Sequence, residues 1–234
     1  MVAGYSDVFA ALSAAGVSYV VVGGTAVVLQ GHARMTVDLD LVLDLTPAEV
    51  RRGLEVLLGL GLQPRRPVDP YDFADPVVRE RWRTERNLTV FSLYDPDDPF
   101  REVDLFTVSP LPYEDLRLRA SLVPLDGVDV PVASLDDLIA MKRVVARPAR
   151  PAGRRRSGAV AEPAVTDWSA GTWEGLEREQ RRRIAAATPA ARLAWLEDAL
   201  RLAHASGALQ RARDERQREC DELWGDSEPA VVGR

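Results

Sequence analysis

The sequence predicts an α+β fold followed by a helical C-terminal region, and three observations carry that reading. SYVVV (residues 18–22) is a short aromatic and β-branched run stopped by Gly23 and Gly24, the signature of a buried strand. DLDLVLDL (residues 38–45) alternates charged and apolar residues, which gives a strand with one polar and one apolar face. NLTVFSLY and REVDLFTV flank the turn DPDDP, as the two arms of a hairpin do.

The other elements follow in order. Val8, Phe9, Ala11 and Leu12 have the spacing of a short amphipathic helix over Tyr5 to Ala15, ended by Gly16. TAVVLQGH opens a helix with Thr25 near its cap and Gly31 near its end. Thr46, Pro47 and Glu49 mark a third helix start, with proline at the first position and an acid in the first turn; it runs to Gly59 or Gly61. Pro64 to Asp75 reads as loop, Pro76 to Arg86 as a short charged helix and LPYEDLRLRA as another. VPLDGVDVPVA gives two short strands around Asp126 and Gly127, and SLDDLIAMKRVVA is a capped helix opening at Ser134. Residues 147–165 are rich in proline, glycine and arginine without periodicity, which predicts a flexible linker. Trp173–Arg183 and Pro189–Arg218 read as two charged helices, with Trp195, Leu196, Leu200 and Leu202 as a thin apolar stripe, and the tail from Gly225 as frayed. The expected division is a domain over 1–146, the linker over 147–165 and a helical region over 166–234. Two helices so thinly apolar must pack on the first domain, on another copy or on a partner; the reach of the linker favours a dimer or a partner.

Composition bounds the function. With 234 residues, 46% hydrophobic and 28% charged, the chain can bury a sizeable core. One cysteine, Cys220, excludes an intramolecular disulfide and points to a reducing compartment, so a cytoplasmic protein is expected. His32, His204 and Cys220 are too few for a structural zinc site. The start MVAGYSDVFA lacks a basic n-region, and no run of 18 apolar residues exists, so neither a signal peptide nor a membrane span is expected. The net charge is −6, concentrated in residues 1–145, where 22 acids oppose 14 basic groups. That balance argues against a strongly basic nucleic-acid-binding domain. Lys142 is the only lysine.

Residues 20–44 carry the chemistry. Asp38 and Asp40 lie two apart on a strand and project from one face. Carboxylates held that close repel, and a hard divalent cation such as Mg²⁺ relieves the repulsion. Upstream, Gly23 and Gly24 join a strand to a helix, where backbone amides can cradle phosphate. Two-metal phosphoryl transfer needs a further carboxylate, and Asp104 supplies one from an apolar strand, where a charge needs a partner or a metal.

Gly23-Gly24-Thr25, the Arg34 to Asp40 segment, the Val103-Asp104-Leu105 strand and the SLDDLIAMKR helix together resemble the nucleotidyltransferase superfamily with the DNA polymerase β-like fold. The resemblance is nearest to the bacterial minimal and AbiEii-like nucleotidyltransferases of toxin–antitoxin and phage-defence loci, and covers about residues 5–146. It implies a small mixed sheet flanked by helices. It implies Mg²⁺, as two ions, held by Asp38, Asp40 and Asp104, with Asp104 activating the attacking hydroxyl. Gly23, Gly24, Thr25, Arg34 and Lys142 would contact the nucleotide. The implied reaction moves a nucleoside monophosphate from an NTP to a hydroxyl on a tRNA end, a protein or a small molecule. The implied partners are an antitoxin or toxin, or a second copy, through the C-terminal helices. Where relatives continue past the MKR helix with an acidic KDxxD segment, this chain has RPARPAGRRRSG. That departure favours the competing reading: a degenerate, non-catalytic binding or regulatory protein acting through its C-terminal helices.

Other clusters have plainer readings. Asp44 is a strand end, and Asp95, Asp97 and Asp98 crowd a turn, where aspartate bonds locally. Arg79, Arg81, Trp82, Arg83 and Arg86 could bind RNA, yet a charged surface helix explains them more simply. Trp168, Trp173 and Trp195 suit a small core among the C-terminal helices.

Overall fold

A computed structural model describes residues 5–32, 36, 38–98, 101–145, 172, 175, 178, 181–182 and 185–224. Helix α1 spans Ser6–Ala14 and buries Val8, Phe9 and Leu12, as its spacing predicts. Strand β1, Tyr19–Val22, is buried at every position, and Phe9 stacks on Tyr19 at its start. Helix α2 follows at once over Gly23–Leu29, and β2 covers Asp38–Leu43. Helix α3 runs Pro47–Gly59 with proline in its first turn. The stretch expected as plain loop contains β3, Gln63–Pro64, and a 3₁₀ turn over Pro70–Ala74 that buries Phe73. Helix α4 spans Pro76–Arg86 and ends at Asn87, which adopts the left-handed conformation that asparagine tolerates. The hairpin is β4, Val90–Tyr94, with β5, Glu102–Phe106. In its turn the Asp95 carboxylate accepts from the Asp97 amide, the local bonding expected of a turn aspartate. Helix α5, Tyr113–Arg119, leads to β6, Ser121–Leu125, and β7, Val128–Val132, and then to α6, Leu135–Val145.

The strands form one seven-stranded mixed sheet in the order β3-β4-β5-β2-β1-β7-β6. Its centre places the site. Strand β1 runs antiparallel to β2 with Val22 opposite Asp40, and β2 runs parallel to β5 with Asp40 opposite Asp104. The end of β1 and the starts of β2 and β5 therefore meet at one edge of the sheet.

The C-terminal segment differs from expectation in two ways. The helix expected over Pro189–Arg218 is two helices, α7 over Pro189–Ala205 and α8 over Ala208–Trp224. The break falls at Gly207, whose φ of +68° leaves the helical region. Of the three packing options, the described contacts show the first: the helices pack on the first domain. Ala199, Ala203 and Ala208 form a buried cluster with Val28 of α2, and Arg211 donates to the Leu29 carbonyl. Of the expected stripe, Leu202 packs partly buried against this cluster, while Leu196 and Leu200 stay exposed and Trp195 is half-buried. Alanines suit the contact because the approach is close: a Cβ on Gly31 would lie 2.7 Å from the Ala208 carbonyl oxygen. The expected linker over 147–165, Trp168, Trp173 and the tail from Gly225 lie outside the described residues, as does most of Trp173–Arg183.

The basic cluster of α4 is not an RNA surface at its centre. Trp82 is buried and stacks on Phe91. Arg79 is buried as well and donates to the carbonyls of Phe73 and Leu45, clamping two loops. Burial pushes its guanidinium below its usual value, and Asp75 opposes that shift.

Candidate active site

Three carboxylates converge where the sheet geometry puts them. One oxygen from each of Asp38, Asp40 and Asp104 lies within 4.8 Å of the others. Asp38 and Asp40 share a face because they are two apart on β2, and Asp104 joins them because it sits opposite Asp40 across the parallel pairing. Asp38 and Asp104 are 1% exposed, while Asp40 is half-buried at the rim. Ionised oxygens this close and this dry repel strongly. Burial pushes the Asp104 carboxyl well above the usual range, helped by Glu102, Asp38 and Asp40; a hydrogen bond from Ser92 acts the other way. Its Oδ1 is buried without a hydrogen-bond partner. An orphaned acceptor beside two further carboxylates fits a hard divalent cation, whose oxygen ligands would satisfy it.

The surrounding residues hold this arrangement. Gly23 has φ +63°, and a Cβ there would stand 1.9 Å from Asp40 Oδ2. The glycine thus makes room for the Asp40 carboxylate at the start of α2. Thr25, expected as a nucleotide contact, is 1% exposed and donates its hydroxyl to the Asp38 carbonyl at 2.9 Å. It fixes α2 on β2 and so sets the place of both aspartates. Gly24 is buried in the first turn of α2. Lys142 is exposed on α6, and Arg34 lies outside the described residues. Asp44 accepts from the Thr46 amide and stands apart from the acidic cluster, as a strand-end residue should.

The sequence reading missed a second layer. Thr36 donates to Asp38 Oδ1 at 3.3 Å. Glu102 lies opposite Asp38 and is 1% exposed, which makes a fourth acid on the same face. Both its oxygens accept from Arg65, at 2.7 and 3.0 Å, and the Arg65 guanidinium lies over the Tyr94 ring. The Tyr5 hydroxyl donates to the Glu102 carbonyl, and burial beside Asp38 pushes its phenol far up. The signal for Glu102 was present: in REVDLF it stands two before Asp104 and must share its face.

A mixed sheet that presents three converging carboxylates beside a glycine turn is the architecture of a nucleotidyltransferase. Comparison with known families agrees. The family described as "Nucleotidyl transferase AbiEii toxin, Type IV TA system" matches residues 7–158, and the chain belongs to that family. The match extends past the boundary expected at residue 146. No curated protein matches the chain significantly. No helix among the described residues is long and apolar enough to cross a membrane.

Proposed function

We propose that this protein is a divalent-metal-dependent nucleotidyltransferase that moves a nucleoside monophosphate from an NTP to a hydroxyl acceptor. The observation that carries this reading is the convergence of Asp38, Asp40 and Asp104 around the orphaned Asp104 Oδ1. Two Mg²⁺ ions bound there would neutralise charge on the phosphates and on the attacking oxygen. Asp38 and Asp40 hold the metal, and Thr25 and Thr36 hold Asp38. Asp104 would ligate metal and help accept the acceptor's hydroxyl proton. The acceptor oxygen bonds to the α-phosphorus, the bond to the bridging oxygen breaks, and pyrophosphate leaves. Gly23 and Gly24 offer backbone amides to the phosphates, and Lys142 and Arg34 keep the phosphate contacts that the resemblance implies.

The family description supports a toxin role with an antitoxin as counterpart. The acceptor class, whether a tRNA end, a protein or a small molecule, is open to direct assay. Incubation with each α-labelled NTP, Mg²⁺ and fractionated cell extract should label one fraction and release pyrophosphate. Asp38→Ala and Asp40→Ala should abolish the label. No labelled product from any fraction, or unchanged labelling by either variant, overturns the proposal and leaves the degenerate binding protein.

A further inference from the structure

The site face carries four buried or half-buried acids, not three, and on one of them, Glu102, Arg65 is seated across both oxygens. Asp38 pairs with Glu102 and Asp40 with Asp104 across β2 and β5, so the carboxylates form a two-by-two array on one side of the sheet. Glu102 is as buried as Asp38 and Asp104. A divalent ion drawn to the array has no reason of charge to prefer three members over four. Geometry supplies the reason. Arg65 donates Nε to one Glu102 oxygen at 2.7 Å and Nη2 to the other at 3.0 Å, the planar fork that matches a carboxylate. Its guanidinium is itself braced 5.0 Å over the Tyr94 ring, and Tyr94 stands opposite Glu102 in the hairpin. Asp104, by contrast, keeps Oδ1 open.

We infer that Arg65 is a positioning residue for the metal site: it occupies and neutralises Glu102 and so keeps that carboxylate out of the Asp38, Asp40 and Asp104 ligand set. The inference rests on the metal-dependent reading above. A buried carboxylate released from its fork would add one negative charge to the array and compete with Asp104 for the ion. The site would then hold metal more tightly in a geometry unsuited to transfer.

The test is Mn²⁺ binding to the full-length, metal-free protein, measured by calorimetry and by the loss of the free-ion electron paramagnetic resonance signal. Arg65→Ala should tighten Mn²⁺ binding roughly tenfold, because a unit charge is added within a few ångström of a dication in a poorly screened site. Arg65→Ala with Glu102→Gln should return the affinity to that of the wild type, since the added charge is gone. Glu102→Gln alone leaves the Arg65 charge unopposed beside the site and should weaken binding by a similar factor; it decides the matter if Arg65→Ala does not fold. A residue that merely supports the hairpin would lower stability without tightening Mn²⁺ binding. Unchanged or weaker affinity in Arg65→Ala, or no restoration in the double variant, overturns the inference alone. A wild type that binds no Mn²⁺ overturns the metal-dependent reading together with it.

Discussion

Asp104→Asn separates the cost of the acidic cluster from its use. In the metal-free protein the Asp104 carboxyl is held well above its ordinary value by burial and by Glu102, Asp38 and Asp40. The unfolded chain loses that proton near pH 4, about 3.9 for a free aspartate. Between that pH and the raised folded value, the folded chain holds a proton that the unfolded chain has lost. Stability therefore falls as pH rises through this window, by about 1.4 kcal/mol per pH unit. For a chain of this size each kcal/mol moves Tm by roughly 2–4 °C. Asparagine does not titrate, keeps an acceptor for Ser92 and removes one member of the repelling set. Metal-free Asp104→Asn should thus melt above the wild type at pH 8, and the gap should narrow toward pH 4. Mg²⁺ should reverse the order, because an ion at a hundredfold over its Kd adds about 2.7 kcal/mol to the wild type alone. Differential scanning calorimetry at pH 4 to 8, with EDTA and with MgCl₂, reads both effects. Parallel melting profiles without metal, or equal stabilisation of both proteins by Mg²⁺, would refute the reasoning.

Three further outcomes follow from named contacts. Gly23→Ala places a Cβ 1.9 Å from Asp40 Oδ2 in a left-handed backbone conformation; it should cost about 1–3 kcal/mol in denaturant melts and abolish metal binding by displacing Asp40. Thr25→Val removes the hydroxyl that bonds the Asp38 carbonyl; it should cost about 1–3 kcal/mol and weaken Mn²⁺ binding, whereas Thr25→Ser should retain both. Gly31→Val drives side-chain atoms into the Ala208 carbonyl and Ala212; α8 should detach, which faster amide exchange at Val28, Ala203 and Ala208 would report.

Local periodicity made much of the sheet legible. SYVVV lies where its continuous β-branched run puts it, DLDLVLDL where its alternation does and the hairpin arms on either side of their turn, and the shared face of Asp38 and Asp40 needs only a period of two. Asp104 was legible as a charge among apolar neighbours. Its placement opposite Asp40 was not, because parallel pairing of β2 with β5 joins segments about sixty residues apart with no local signature. Arg65 was hidden for a related reason: it lies in a proline-rich stretch without periodicity, and its pairing with Glu102 joins positions 37 apart in the chain. The C-terminal contact inverted the usual signal. Of the stripe Trp195, Leu196, Leu200 and Leu202, Leu202 packs on the contact, whose buried residues are alanines with Val28; alanine carries little hydrophobic weight in sequence but permits close backbone approach. The break at Gly207 has no clear sequence signal, because one glycine costs a helix only about 1 kcal/mol, too little to mark a break by itself.

Helix α2 explains why distant parts of the chain bear on the site. Seven residues are too few to hold a helix in water, so its position comes from its neighbours. Gly23 meets Asp40 at its start, and Thr25 grips the Asp38 carbonyl in its first turn. Just past its end, Gln30 donates to the Ala133 carbonyl ahead of α6. On its outer side Val28 packs on Ala199, Ala203 and Ala208, while the Leu29 carbonyl accepts from Arg211. The helix is therefore a wedge between the C-terminal helices and β2, the strand that carries Asp38 and Asp40. Loosening α7 or α8 removes support from α2, and α2 carries both the glycine that admits the Asp40 carboxylate and the hydroxyl that fixes Asp38. Among the described residues the C-terminal helices add no carboxylate to the cluster, yet they bear on its geometry through α2.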